Sequence, residues 1–399
     1  MRLNCQPYWL VSVMTLLLAT IVTFGAGEIL VRIARPQLTY SKLRLLTGEQ
    51  YTHGDFLPFT LKKNYVARSP SMEFPGKMVT ISTNSLGLRG PETTIEKPPN
   101  TKRILFLGDS YTFGVYCNDD EVYPRVLERF YSSESPRVEA LNAGYADGWS
   151  PDEHYAWLKN RGLSFRPDLV VYGFFIGNDL EDINPNHWAS LDERGLPTRI
   201  VNPDIYVNAV GRIGSRTIDY KTVGSEIIFK IPVLRESNLL VFLNRAMGRL
   251  RRSINSHSQK GILKNPDADS FTPIVSPQLS EAMRSKLRLF FKLVRGIQEL
   301  SRKSGADFLL LMIPVNFQVE PHFLKVVLGS DDFQIRRDPF QEMEPTLAQM
   351  QIPHLNLLKA MKRHPEQRFF PRNGEVHFNP NGHLFTAKIL KQKLDDLGW

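Results

Sequence analysis

Cysteine is nearly absent: Cys5 and Cys117 are the only two in 399 residues. Cys5 falls in an apolar leader, so no disulfide framework is expected and the redox compartment is left open. No Cys/His run has metal-ligand spacing, no glycine-rich phosphate loop of Walker type occurs, and no internal repeat is visible. Neither a metal nor another cofactor is expected. Acidic residues are in deficit, 41 against 50 Lys plus Arg, for a net charge of +9. That balance permits contact with nucleic acid, anionic lipid or acidic glycan and selects none. A basic–aromatic platform is lacking, so nucleic acid is not an expected partner. With 42% hydrophobic residues, 26 Gly and 27 Pro, collagen-like and disordered classes are excluded. What remains is a globular chain long enough to bury a full core, as one large domain with insertions or two smaller ones.

Long uncharged runs are also scarce, with one exception. From Leu3 to Gly27 there is no charged side chain, and Trp9 to Phe24 is almost wholly apolar. About 20 such residues span a bilayer as a helix, and Tyr8 and Trp9 suit the headgroup level. The reading is a single-pass anchor over residues 1–35; a cleaved signal ending near Gly25-Ala26-Gly27 is the alternative, and a core helix a third. Arg32, Arg35, Lys42 and Arg44 follow the run, against Arg2 and the terminal amine before it. That count places the large domain in the cytoplasm, although long domains translocate largely regardless of flanking charge.

Residues 36–100 read as an irregular, β-containing lead-in, with a strand at Met78-Val-Thr-Ile-Ser-Thr and turn chemistry at Asn84 to Pro91. From Lys102 short apolar runs alternate with amphipathic stretches. Strands are expected at Arg103–Leu107, Val138–Leu141, Leu169–Phe175, Phe308–Ile313 and His354–Leu357. Helices are expected at Glu121–Ser132, Pro151–Leu163, Ser280–Ser304 and Pro380–Leu394. The third strand is apolar on both faces, as in a parallel sheet covered on both sides. Alternation of this kind implies βαβ units and a three-layer, mostly parallel sheet across 101–399. It lapses at about 187–279, where Arg245, Arg249, Arg251, Arg252, Lys260 and Lys264 occur with no acid between them. This insertion reads as a solvated face capping the sheet; an amphipathic helix on anionic lipid or an acidic substrate is the alternative.

In an open parallel sheet, ligands sit beyond the carboxyl ends of the strands. Gly108-Asp-Ser-Tyr-Thr-Phe-Gly114 follows the first strand, Asn142-Ala-Gly-Tyr145 the second, and Ile176-Gly-Asn-Asp-Leu180 the third. Glu375-Val-His-Phe-Asn-Pro-Asn-Gly-His383 lies near the end of the chain. Ser110 can stand at the sheet rim, but a serine hydroxyl needs a base to become a nucleophile. His377 is the natural base. A tetrahedral intermediate also needs donors, which the N–H of Gly144, the carboxamide of Asn178 and the N–H of Ser110 can supply.

These four blocks, in this order, resemble the SGNH (GDSL-like) hydrolase family: Ser110 in Gly108-Asp109-Ser110, Gly144 in Asn142-Ala143-Gly144, Asn178 in Gly177-Asn178-Asp179, and His377 in His377-Phe378-Asn379. Thr112 rules out the Gly-x-Ser-x-Gly elbow of the α/β-hydrolases. The resemblance covers about 103–183 and 305–395. It implies a flavodoxin-like α/β/α sandwich with a mostly parallel five-stranded sheet, Ser110 as nucleophile, His377 as base, and the oxyanion hole just described. The family usually carries an aspartate two or three residues before the base. Here those places hold Glu375 and Gly374, so Glu375 is expected as the orienting acid. Asp109 and Asp179 are expected to order loops, and His383 to serve helix start or packing.

The implied activity is that of a serine esterase acting on an O-acyl ester, with an acyl carbohydrate as the expected substrate and a lipid, or acyl transfer to an envelope glycan, as alternatives. A glycan substrate requires the domain to face outward, against the flanking charges. A silent binding protein on the same fold is the competing class.

Overall fold

A computed structural model describes residues 8–35, 50–74, 76–133, 135–145, 149–203, 205–207, 213–215, 231–243, 246–247, 279–324, 338–372 and 374–399. Arg2, Cys5, Lys42, Arg44 and the basic residues from Arg245 to Lys264 lie outside these. The chain divides into two compact units, Met1–Thr47 with Thr217–Ile262, and Gly48–Arg216 with Leu263–Trp399.

In the first unit, α1 (Tyr8–Ala34) is the one described helix long and apolar enough to cross a membrane. The second unit opens with two antiparallel hairpins, β1 (Tyr51–His53) with β2 (Phe59–Leu61) and β3 (Val66–Pro70) with β4 (Met78–Ser82). Next come β5 (Thr101–Gly108), α2 (Ser110–Phe113), α3 (Tyr123–Phe130), β6 (Arg137–Gly144), α4 (Pro151–Asn160), β7 (Leu169–Phe175) and α5 (Asp179–Asp182). Two further hairpins follow, β8 (Trp188–Leu191) with β9 (Pro197–Ile200) and β10 (Ile205–Val207) with β11 (Ile213–Ser215). A short α6 (Pro232–Arg235) belongs to the first unit. The second unit closes with α7 (Glu281–Lys303), β12 (Asp307–Ile313), α8 (Asn316–Val319), α9 (Pro339–Gln349), β13 (His354–Asn356), α10 (Leu357–Lys362) and α11 (Pro380–Asp396).

Five strands pair in the order β13-β12-β7-β5-β6, every pairing parallel. Numbered along the chain, this is the flavodoxin order 2-1-3-4-5, which reverses direction between β5 and β7. All seven residues of β7 are buried, which explains its continuous apolar run; each fully buried Val, Leu or Phe is worth about 1.5–3 kcal/mol. Helices α3 and α11 pack together, as do α4 and α7, which gives the three layers. The expected five-stranded α/β/α sandwich is therefore the observed one.

Several elements differ from the periodicity reading. α3 is shorter than Glu121–Ser132 because Pro124 sits at its start, where proline is tolerated, and Val122 is extended. α4 ends at Asn160 and passes into a 3₁₀ turn at Gly162–Phe165. α9 was not expected; its internal Pro345 reads as a breaker in the sequence. The stretch after 187 begins with hairpins rather than a bare insertion.

Candidate active site

Ser110 owes its position to the glycine before it. Gly108 ends β5 at φ +149°, and a Cβ there would meet Thr112 Oγ1 at 2.1 Å and Gly173 O at 2.7 Å. The chain can thus turn sharply from strand into α2, with Ser110 as its first residue and Asp109 as its N-cap. Asp109 accepts the N–H of Tyr111 at 3.0 Å. Burial pushes the Asp109 carboxyl up to about 7.

The imidazole arrives from the other end of the chain. His377 Nε2 lies 2.8 Å from Ser110 Oγ, and His377 Nδ1 lies 2.8 Å from Glu375 Oε1. The N–H of Val376 also donates to Glu375 Oε1, at 3.0 Å. Burial works to raise the Glu375 carboxyl, but the hydrogen bond and charge of His377 and the N–H groups of its own loop outweigh it and hold the group below the ordinary carboxylate range. Side chains of His377 and Glu375 are 20% and 23% exposed, so solvent reaches the pair without flooding it. Ser110, His377 and Glu375 are thus brought into one chain of hydrogen bonds.

The three candidate oxyanion donors stand differently. Ser110 N–H begins a helix and has no intrahelical acceptor. Gly144 packs so closely on α2 that a Cβ would meet Phe113 N at 2.3 Å. Its N–H donates to Asn142 Oδ1 at 2.9 Å. Asn178 precedes α5 at the end of β7, and its Nδ2 donates to Asp182 Oδ2 at 2.6 Å. Two of the three donors are therefore engaged within the protein.

Asp179 is buried and accepts the N–H of Phe175 at 2.9 Å. Burial, with the charge of Asp109 added, pushes its carboxyl well up, which favours the neutral acid. His383 is buried in α11, accepts the N–H of Tyr123 at 3.3 Å and stacks on the Tyr123 ring. Burial drives its imidazole down to about 3. It packs and caps. Among the described residues, no group of three or more His, Cys, Asp or Glu side chains is arranged to hold a metal ion.

Three supporting residues escaped the sequence reading. Tyr111 packs against the His377 ring, tilted by 39° with centroids 5.2 Å apart, and donates its hydroxyl to Val376 O. Buried Asn316, just past β12, donates Nδ2 to Gly374 O at 3.3 Å and Glu375 O at 3.4 Å. Arg89, from the lead-in, is wholly buried and donates to Phe113 O, Gly114 O and Cys117 O, while its Nε meets Asp119 at 3.1 Å. Its own N–H donates to Asn142 O at 3.0 Å. Arg89 thereby ties the end of α2 and the segment after it, held by its guanidinium, to β6, held by its main chain. An arginine inside turn chemistry carries no local sign of such a role; only its burial reveals it.

No protein-family model matches the sequence, and no curated relative matches it. Similar solved structures include a lipase/acylhydrolase from Enterococcus faecalis, 12% identical over 74% of this chain and 96% of that one, with a TM-score of 0.35. An acetyl xylan esterase is 14% identical over 73% of this chain and 98% of that one, with a TM-score of 0.36. A GDSL-like lipase from Bacteroides thetaiotaomicron is 11% identical over 74% and 89%, with a TM-score of 0.33. In its 2-1-3-4-5 sheet and in the order of its four blocks, the chain resembles the SGNH (GDSL-like) hydrolases.

Proposed function

We propose that the chain is a serine ester hydrolase. The observation that carries this reading is the pair of 2.8 Å contacts linking Ser110 Oγ, His377 and Glu375 Oε1 across 267 residues of sequence. Ser110 Oγ attacks the ester carbonyl as His377 Nε2 takes its proton. Glu375 holds the Nδ1–H tautomer and balances the imidazolium. The tetrahedral oxyanion is met by the N–H of Ser110 and, as they leave their present acceptors, by Asn178 Nδ2 and Gly144 N–H. The imidazolium returns its proton to the departing alcohol, leaving an acyl-enzyme. A water molecule deprotonated by His377 then attacks the acyl carbon, and the acid leaves as Ser110 recovers its proton.

For the substrate, an anchored chain of net charge +9 favours an O-acyl group on an acidic envelope carbohydrate, with the second unit outside the membrane. The test is labelling by a serine-directed fluorophosphonate, with hydrolysis of short-chain, long-chain and sugar esters by wild type and Ser110→Ala. Labelling and hydrolysis that vanish in Ser110→Ala support the enzyme. No labelling of folded wild type overturns it in favour of a binding protein, and release confined to long chains overturns the carbohydrate assignment.

A further inference from the structure

Residues 11–26 of α1 are exposed along their whole length, but near its end Gly27, Glu28 and Val31 are covered. Gly27 and Val31, at i and i+4, share one face of the helix, and Glu28 lies at its edge. The segment that meets this face comes from about 210 residues further along, and its contacts are specific. Glu28 accepts the Ser237 hydroxyl at 2.8 Å, the Asn238 N–H at 2.9 Å and the Leu239 N–H at 2.9 Å. Those N–H groups open the helical turns at 238–243, so one carboxylate caps a second helix. Arg32 clamps the arrangement, meeting Glu28 at 2.6 Å and Glu236 O at 3.2 Å. A Cβ at Gly27 would lie 3.0 Å from Leu239 Cδ2, so glycine admits the close approach.

Among the described residues, the docked segment carries exposed apolar side chains at Ile231, Val233, Leu243 and Met247, with Val233 79% exposed. From Arg245 to Lys264 the sequence then has six basic residues and no acid. Twenty residues of helix separate Tyr8 from Glu28, about 30 Å of rise, which matches the hydrocarbon thickness of a bilayer. A helix entering at Tyr8 therefore brings Glu28 to the opposite headgroup boundary. A half-buried carboxylate capped by hydrogen bonds suits that level and a bare one does not.

We propose that α1 is a retained anchor and that residues 231–243 lie along the surface of an anionic bilayer, tethered to the end of the anchor by Glu28. The apolar side chains enter the boundary region, and the sequence from Arg245 to Lys264, six basic residues with no acid, has the charge that an anionic surface attracts. The stretch at 231–243 is then a lipid-contacting element and not a solvated face. This assignment is independent of the esterase reading.

The full chain, in a Cys5→Ser, Val233→Cys form carrying a nitroxide, is reconstituted into vesicles of phosphatidylcholine and phosphatidylglycerol; buried Cys117 is controlled by the same treatment without Val233→Cys. Collisions with oxygen should exceed those with a water-soluble nickel complex. Omitting phosphatidylglycerol should lower that ratio, and Glu28→Ala should move the label into water while circular dichroism and the melting of the second unit are unchanged. Mass spectrometry of the wild-type membrane fraction should recover the peptide preceding residue 25. Water-like accessibility at 233, equal to that of a label at exposed Leu191, overturns the proposal. So do an accessibility ratio indifferent to anionic lipid, a label that stays in lipid in Glu28→Ala, or a mature chain that begins near residue 28.

Discussion

Replacing Glu375 by Gln removes one negative charge and almost no shape. Two donors converge on Glu375 Oε1, His377 Nδ1 at 2.8 Å and the Val376 N–H at 3.0 Å. A carboxamide there has to turn its oxygen toward both, because its NH2 group would set donor against donor at Val376. The imidazole accordingly keeps its proton on Nδ1 and its lone pair on Nε2, facing Ser110. What disappears is the charge that stabilises the imidazolium formed as the serine proton moves. A triad that loses both the charge and the correct tautomer falls by about 10⁴-fold in kcat. With the tautomer preserved, the expected loss is about 10²–10³-fold, equivalent to about 3–4 kcal/mol of transition-state stabilisation. Glu375→Asp keeps the charge but shortens the reach by one C–C bond, about 1.5 Å. Unless the loop follows, that carries the contact beyond hydrogen-bonding distance, and a loss of about tenfold or more is expected. The assay is kcat/KM on an aryl acetate together with the rate of fluorophosphonate labelling, both of which require an activated Ser110. A Glu375→Gln enzyme within about twofold of wild type refutes the orienting role. A loss as deep as that of Ser110→Ala refutes the argument that Val376 holds the amide oxygen in place.

Arg89→Met leaves the carbonyls of Phe113, Gly114 and Cys117 and the Asp119 carboxylate without their buried cation; urea melts should show a loss of about 3–5 kcal/mol, and Arg89→Lys should recover little of it, because one ammonium cannot match the planar fork. Tyr111→Phe keeps the ring on His377 but strips Val376 O of its donor, for an expected stability loss of about 1–2 kcal/mol and a lower kcat with KM little changed, read from steady-state kinetics. His154 is buried with no partner at either ring nitrogen among the described residues, and burial drives its imidazole down to about 3. The unfolded chain, at about 6.5, binds the extra proton, so the stability this histidine confers is present above that value and is lost as pH falls through 6.5 toward 3, at about 1.4 kcal/mol per pH unit. Urea melts from pH 7 to 5 should therefore show a shallower pH slope in His154→Phe; an unchanged slope refutes the assignment.

Much of the fold was legible because parallel strands buried on both faces must be continuous apolar runs, and Leu169–Phe175 and Phe308–Ile313 are such runs. Element ends were less so: Pro124 and Pro345 sit inside or at the start of helices that a local reading shortens, extends or misses. The candidate site was legible as four short blocks but not as a set of contacts. Asn142 takes the Gly144 N–H and Asp182 takes the Asn178 carboxamide, and neither engagement leaves a mark in the residue pattern.

Residue order alone determined the strand–helix alternation, the glycine turn before Ser110 and the apolar stretch of α1, since backbone freedom and burial period are properties of neighbouring residues. Tertiary structure alone decided that Arg89 locks the segment after α2 and that Glu28 caps a helix about 210 positions away. A buried polar group has to find whichever partner the folded chain brings within about 3 Å, and sequence separation carries no record of that distance.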